Sequence, residues 1–292
     1  MPRRVLVLGS SGMAGHLLAL HLRGNPDFDV VDVGPRARPF PGSLTCDLSD
    51  RASLEALLSS EKPDYLVNCV GVLVRASEEN KLAAISINAR LPHLLAELCE
   101  GVGCRFIHLS TDCVFSGGAG PYDREAAYDG QDFYGRSKAL GEFDDVRGLV
   151  IRTSIIGPEL RSGATGLFSW FMSNPDGSRV TGYRKALWSG VTTLELAKFI
   201  EAAIRAEPAP TGLVQYSVEG GISKYELLRL IAEVFRKDIE IGARDEPAID
   251  KRLVPTRLAF SDGPRAYRIQ LAELAEWMKG RRESYGNQMG GM

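Results

Sequence analysis

Tyr134-Gly135-Arg136-Ser137-Lys138 holds two side chains on which a reaction could turn. Four residues apart on a helix, a tyrosine and a lysine share one face, so an ammonium can stand beside a phenol, favour its ionised form and anchor a ribose next to it. A phenol made more acidic can give a proton to a carbonyl oxygen while hydride arrives at the carbonyl carbon. Ser110-Thr111-Asp112 lies upstream; Thr111 would give that oxygen a second hydrogen bond if the run closes a strand whose end faces a ligand crevice. Near the N-terminus, Gly9-Ser10-Ser11-Gly12-Met13-Ala14-Gly15 spaces glycines so that a tight turn can bring backbone N–H groups against a pyrophosphate.

Such residues act together only if the chain brings them to one edge of a sheet. Continuous apolar runs predict strands at 5–8, 30–33, 44–46, 66–70, 106–109 and 149–151, and 3.6-residue periodicity predicts helices at 13–23, 51–59, 83–101 and 134–143. Alternation of this kind implies parallel strands joined by helical crossovers: an α/β, Rossmann-type doubly wound sheet over residues 1–153, followed by a smaller C-terminal substrate-binding lobe over 154–283. Some later segments are expected to return to the first part. Helices recur in the lobe at 193–206, 224–235 and 271–279, and 284–292, rich in Gly, Asn, Gln and Met without periodicity, is expected to be a mobile tail.

Composition narrows the function classes. The 292 residues carry 35 Lys and Arg against 37 Asp and Glu, a net charge of −2, which supplies no global field for nucleic acid or an anionic membrane. Only four strongly apolar residues follow Met-Pro-Arg-Arg, short of the roughly 7–15 of a secretion signal, and no apolar run approaches the roughly 18–20 of a membrane span. A cytoplasmic protein with no membrane or nucleic-acid partner, monomeric or homodimeric, is expected. The five cysteines are odd in number and form no CxxC pair, and His16, His21, His93 and His108 have no metal-ligand spacing, so neither a disulfide scaffold nor a metal site is expected.

The second strand bears on the choice of dinucleotide. An acidic residue at its end suits the 2′-hydroxyl of NAD, an arginine the 2′-phosphate of NADP. If Gly34 holds that position, no carboxylate is present and Arg36, with Arg38, stands ready for a phosphate; if Asp32 holds it, the choice reverses. The two arginines are otherwise solvated surface residues. NADP(H) is the preferred expectation, with NAD(H) as the alternative.

Several segments resemble the extended short-chain dehydrogenase/reductases and, within them, the dTDP-4-dehydrorhamnose reductase-like sugar-nucleotide enzymes. The likeness runs from Val5 to about Arg257 and includes GSSGMAG (9–15), Cys46-Asp47-Leu48, NCVG (68–71), INARLPHLLAELC (87–99), HLSTDCVF (108–115), YGRSK (134–138), LVIRTSIIG (149–157) and WSGVTTLELAKFI (188–200). The resemblance implies that Gly9, Ser11, Gly12, Met13 and Gly15 hold the cofactor pyrophosphate, that Asp47 and Leu48 border adenine, and that Cys69, Val70, Gly71 and Asn88 lie along the cofactor. Thr111, Tyr134 and Lys138 would be the catalytic trio. The implied reaction is reduction of a nucleotide-linked 4-keto-6-deoxy sugar.

Two departures bear on the sugar. Cys113 stands where the rhamnose-pathway reductases typically have Tyr, and residues 251–257 only loosely match their substrate loop. Asp112 and Cys113 are expected beside the sugar, and Cys113 raises the alternative of a sugar-nucleotide epimerase or epimerase-reductase, although no histidine follows position 108 to return a proton. Lys251 or Arg257 would neutralise a nucleotide diphosphate or form a solvated basic segment, and Trp188 would stack on a sugar or base or cap the core between lobes. A dinucleotide-binding regulatory subunit without catalysis is the remaining alternative.

Overall fold

The computed structural model describes residues 1–34, 40–160 and 166–289. Apolar runs become central strands: β1 (Arg3–Leu8), β2 (Phe28–Gly34), β3 (Leu44–Thr45), β4 (Tyr65–Asn68), β5 (Arg105–Thr111) and β6 (Leu149–Thr153). A later strand, Gly212–Gln215, completes a seven-stranded sheet in the order Gly212–Gln215, β6, β5, β4, β1, β2, β3. Every pairing in it is parallel. Strand β1 explains why an apolar run is needed here: Val5 and Val7 enter one core and Leu6 and Leu8 the other, so both faces are covered.

On one face, helix α1 (Met13–Arg23) and the helix Thr193–Arg205 supply Leu17, Leu18, Leu22, Leu196, Phe199 and Ile200. On the other, α2 (Arg51–Glu61) and the helix Leu91–Val102 supply Leu54, Leu58, Leu94 and Leu95. Residues 193–215 thus belong to the main sheet although they follow the first lobe strands in sequence. The remaining lobe pairs Ser178–Tyr183 with Ile239–Arg244, and Ala186–Trp188 with both Ile222–Ser223 and Ile249–Asp250. It is fastened to the loop after β5 by backbone bonds from Asp250 N to Gly117 O, Tyr122 N to Arg252 O and Val254 N to Tyr122 O, each 2.8 Å.

Two expectations are corrected. The single helix at 83–101 is three pieces: Lys81–Ala84, a π-helical turn over Ile85–Arg90 and Leu91–Val102. Pro92 has no N–H to give Asn88 and crowds its carbonyl, and the helix widens just before it. Of the tail expected over 284–292, residues 290–292 lie outside the described residues, and 284–289 pack on the protein: Tyr285 and Met289 are buried, and Gln288 Nε2 donates to Glu159 O at 2.6 Å while its Oε1 accepts from Ser169 Oγ at 2.7 Å.

Candidate active site

Strand order reverses between β1 and β4, the place where a parallel sheet opens a ligand crevice at its carboxyl edge. The glycine turn lies there. Gly9 has φ +85°, and a Cβ on it would stand 3.0 Å from the Cys69 carbonyl carbon; a Cβ on Gly15 would collide with Gly9 O. Gly12 begins α1 without a side-chain cap and no acidic residue follows in the first turn, leaving N–H groups and the helix dipole for an anion. Asp47 and Leu48 follow β3 at the same edge; the Asp47 carboxylate accepts from Ser49 N and Oγ at 2.9 and 2.6 Å, bonds that hold it below its usual range. Cys69, Val70 and Gly71 leave the end of β4. Asn88, in the π turn, grips the next residue from both sides, accepting from Val72 N at 2.8 Å and donating to Val72 O at 2.9 Å, and also donates to Ser137 Oγ at 3.0 Å.

Strand β2 ends on Gly34. Asp32 is buried, paired with Arg23 and accepting from Ser43 Oγ at 2.6 Å, so its carboxylate is committed within the protein. Arg36 and Arg38 lie outside the described residues.

Thr111 is the last residue of β5. Its hydroxyl donates to Asp112 Oδ1 at 3.2 Å and accepts from Cys113 N at 3.1 Å. Tyr134 and Lys138 lie on the helix Phe133–Leu140, started by Asp132, whose side chain accepts from Gly135 N; Gly135 packs so closely on Cys113 that a Cβ would strike its carbonyl. Burial pushes the Tyr134 phenol above its ordinary range, and a hydrogen bond with Thr111 pulls the other way. Lys138 is almost wholly enclosed: Nζ donates to Leu109 O at 2.6 Å and lies 3.2 Å from His108 Nε2. Burial lowers its pKa to about 8. The lysine that the sequence puts on the tyrosine's helix face thus has its amine bonded to the Leu109 carbonyl and facing the His108 imidazole of β5.

Asp112 is buried and Cys113 half-buried; burial and the Asp112 carboxylate push the Cys113 thiol up to about 12. Of the two readings open for Trp188, stacking on a ligand or capping the core, its 2% exposure agrees with the second. Its ring instead lies 5.7 Å from that of Tyr267 and carries the Lys224 ammonium 4.5 Å from its centroid. Lys224 escaped sequence reasoning. It is the first residue of the helix Lys224–Val234, whose start is fixed by a capping box of Ser223 and Glu226, and Ile222 pairs in register with Trp188. Burial lowers its pKa to about 8, while Asp112 and Cys113 oppose the shift, so the second lobe points a cation at the residues beside Thr111. Lys251 is half-buried and also acts on Cys113; Arg257 is exposed.

Behind the site, Arg152 of β6 is fully buried against Glu142, with Nη2 to Oε2 at 2.6 Å. Arg152 also donates to Gln215 Oε1 at 2.9 Å and Tyr128 OH at 3.1 Å, and Ser110 and Tyr128 both donate to Glu142. This network joins β5, β6 and the strand Gly212–Gln215 just behind Thr111. Among the described residues no group of His, Cys, Asp and Glu is placed to hold a metal ion, and no helix is long and apolar enough to cross a membrane.

The family profile for the RmlD substrate binding domain matches residues 3–259. Methionine adenosyltransferase 2 subunit beta of Danio rerio is 29% identical over 80% of this chain and 74% of its own length. A dTDP-4-dehydrorhamnose reductase of Mycobacterium tuberculosis is 33% identical over 48% of this chain and 44% of its own length, so the alignment spans under half of that relative. Among solved structures, a hypothetical dTDP-4-dehydrorhamnose reductase from Sulfolobus tokodaii superposes with TM-score 0.76 at 26% identity, covering 92% of this chain and 98% of the other. A dTDP-4-dehydrorhamnose reductase from Bacillus anthracis in complex with NADP shares the fold, with TM-score 0.77 at 19% identity over 95% and 99% of the two chains.

Proposed function

Because the chain belongs to the RmlD substrate binding domain family, we propose that it reduces a nucleotide-linked 4-keto-6-deoxy sugar with NADPH, NADH serving as the alternative cofactor. The observation that carries this reading is the meeting of Thr111, Tyr134 and Lys138 at the carboxyl edge of the sheet that also bears the glycine turn. Gly9, Ser11, Gly12, Met13 and Gly15 would hold the pyrophosphate. The fit rests on glycines where any Cβ meets backbone and on an uncapped helix start. Asp47 and Leu48 would border adenine, Cys69 to Gly71 and Asn88 the middle of the cofactor, and Lys138 the ribose. Gly34 at the end of β2 presents no carboxylate to repel a 2′-phosphate.

NADPH, when bound, supplies the hydride. Tyr134 supplies the proton: burial keeps the phenol protonated at neutral pH, and a neighbouring positive charge has to lower its pKa for the proton to pass readily to the ketone oxygen. Thr111 turns its single hydroxyl proton from Asp112 toward the ketone oxygen and polarises it. Cys113, kept a thiol by burial, lines the sugar pocket and abstracts no proton, which weighs against the epimerase alternative. Lys224 reaches the sugar from the second lobe, and Lys251 and Arg257 lie on the segment suited to a diphosphate.

The test is a panel of nucleotide-linked 4-keto sugars incubated with the purified protein and NADPH, following cofactor absorbance and identifying products by NMR. Consumption of NADPH with a 4-hydroxy product supports the reading. The match to the zebrafish subunit over 80% of the chain favours a second reading, a dinucleotide-binding subunit; protein that binds NADPH but turns over no member of the panel would leave that one standing.

A further inference from the structure

His108 lies beneath the active-site lysine with a hydrogen-bond polarity that can be followed atom by atom. Val70 N donates to Asn68 Oδ1 at 3.0 Å. With its oxygen turned to Val70, Asn68 presents its NH₂ to His108, and Nδ2 lies 3.1 Å from His108 Nδ1. A ring nitrogen facing an NH₂ group must offer its lone pair, and a neutral imidazole has only one N–H. The proton is therefore on Nε2, which faces Lys138 Nζ at 3.2 Å. An ammonium has no lone pair and would set donor against donor. A neutral amine satisfies every contact: it accepts from Nε2–H and still donates to Leu109 O at 2.6 Å.

We propose that His108 is a positioning residue which, fixed by Asn68, keeps Lys138 a neutral amine in the cofactor-free protein. Lys138 gains a proton only when His108 changes tautomer, and that requires the Asn68 amide to turn and give up its bond to Val70. Neither His108 nor Asn68 has any exposed surface, and burial holds the imidazole well below its ordinary pKa, so an imidazolium does not serve as a third arrangement. The other groups around Lys138 do not reverse the preference. Cys69, at the end of β4, is pushed up to about 12 by burial and remains a thiol. Glu142 favours the charged lysine from a distance, but its carboxylate is bonded to Arg152, Tyr128 and Ser110. Tyr134, one turn earlier, keeps its proton. Burial, against the opposing pull of Glu142 and Cys69, brings Lys138 to about 8; the imidazole N–H directed at its lone pair takes it lower. Resting on the reductase reading, the arrangement means that the charge able to acidify Tyr134 appears only when Val70, part of the wall assigned to the cofactor, shifts its hydrogen bond.

The experiment uses the full chain without cofactor, with ¹⁵N-labelled histidine and ¹³C-labelled lysine, signals being assigned with His108→Gln and Lys138→Met. His108 should show the Nε2–H tautomer, and the Lys138 side-chain carbon should titrate with a midpoint below about 7. Asn68→Asp puts an acceptor-only carboxylate against Nδ1. It should switch His108 to Nδ1–H and raise the Lys138 midpoint by at least about one pH unit, a tenfold change in proton affinity. His108→Gln, whose carbonyl can turn to an ammonium, should also raise it and serves if Asn68→Asp does not fold. An Nδ1–H tautomer in the parent, a Lys138 midpoint in the ordinary lysine range, or no shift in the variants would overturn the proposal. These signals need no turnover: an inactive parent with the Nε2–H tautomer defeats the reductase reading alone, and an active parent with Nδ1–H defeats this one alone.

Discussion

Two cations are buried in one wall of the sheet, and they are treated differently. Arg152 on β6 is surrounded by Glu142, Gln215 and Tyr128, with its guanidinium 5.0 Å from the Phe115 ring centroid. Lys138, on the neighbouring helix, is bonded to a carbonyl and faces an imidazole, with no carboxylate in hydrogen-bond contact among the described residues. A guanidinium cannot shed its proton in a protein, so its burial demands a carboxylate and the pair becomes a fixed structural charge. An amine can shed its proton, and burial moves its equilibrium instead. Two positive residues at one depth therefore divide into one that holds strands together and one whose charge the surroundings can set.

Substituting Tyr134 by Phe should give the largest effect on the chemical side of this contrast. Turnover of the keto sugar should fall by about 10²–10⁴-fold with the thermal midpoint little changed, since only the transferable proton is removed. Near-parental turnover would move the acid elsewhere. On the structural side, Arg152→Met should cost about 3–5 kcal/mol in urea unfolding, because Glu142 is left buried and uncompensated. The double variant Arg152→Met/Glu142→Leu should recover much of that loss. Equal destabilisation in single and double variants would mean that the pair is not the origin of the cost.

The adjustable charge has its own signature in pH. Burial holds Lys138 well below its unfolded value of 10.5 in the folded protein, so between the folded and unfolded midpoints the folded state binds fewer protons and the contribution of Lys138 to stability rises with pH. The stability of the parent minus that of Lys138→Met should therefore climb from the folded midpoint of Lys138 up to about pH 10.5. A flat difference would show that Lys138 is not perturbed. The same subtraction with Arg152→Met should stay level across that window, since the guanidinium remains charged throughout. A smaller effect is expected at Lys224, a further enclosed cation, which rests on Trp188 with no carboxylate in hydrogen-bond contact among the described residues. Loss of one charge-assisted hydrogen bond, roughly 1.5–3 kcal/mol, should raise KM for the keto sugar at least tenfold in Lys224→Met. NADPH affinity, followed by fluorescence titration, should hold; a loss of cofactor binding would place Lys224 on the cofactor side.

Much of the fold is legible in local sequence because its causes are local. Val5 to Leu8 has to be a covered strand, Gly9 to Gly15 has to turn tightly, and Tyr134 and Lys138 have to share a helix face. The helix at 83–101 was legible only in outline, since the widened turn at Asn88 comes from Pro92 together with Gly141, which packs against the Asn88 carbonyl. The buried ends of Tyr285 and Met289 were hidden because one side chain of each kind leaves no period to detect.

The sequence by itself determined the parallel sheet, the glycine turn, and the types and order of Thr111, Tyr134 and Lys138, because spacing along one chain segment settles each of them. Tertiary structure alone decided what those groups are next to. Asp32 could have faced a ribose, but Arg23 and Ser43 engage it. Trp188 could have met a ligand, but the core encloses it and gives its ring to Lys224. His108 carried no signal, yet it lies between Asn68, forty residues upstream, and Lys138, thirty downstream. Protonation states and ligand contacts depend on burial and on hydrogen-bond partners from distant segments, and those are fixed only when the strands assemble.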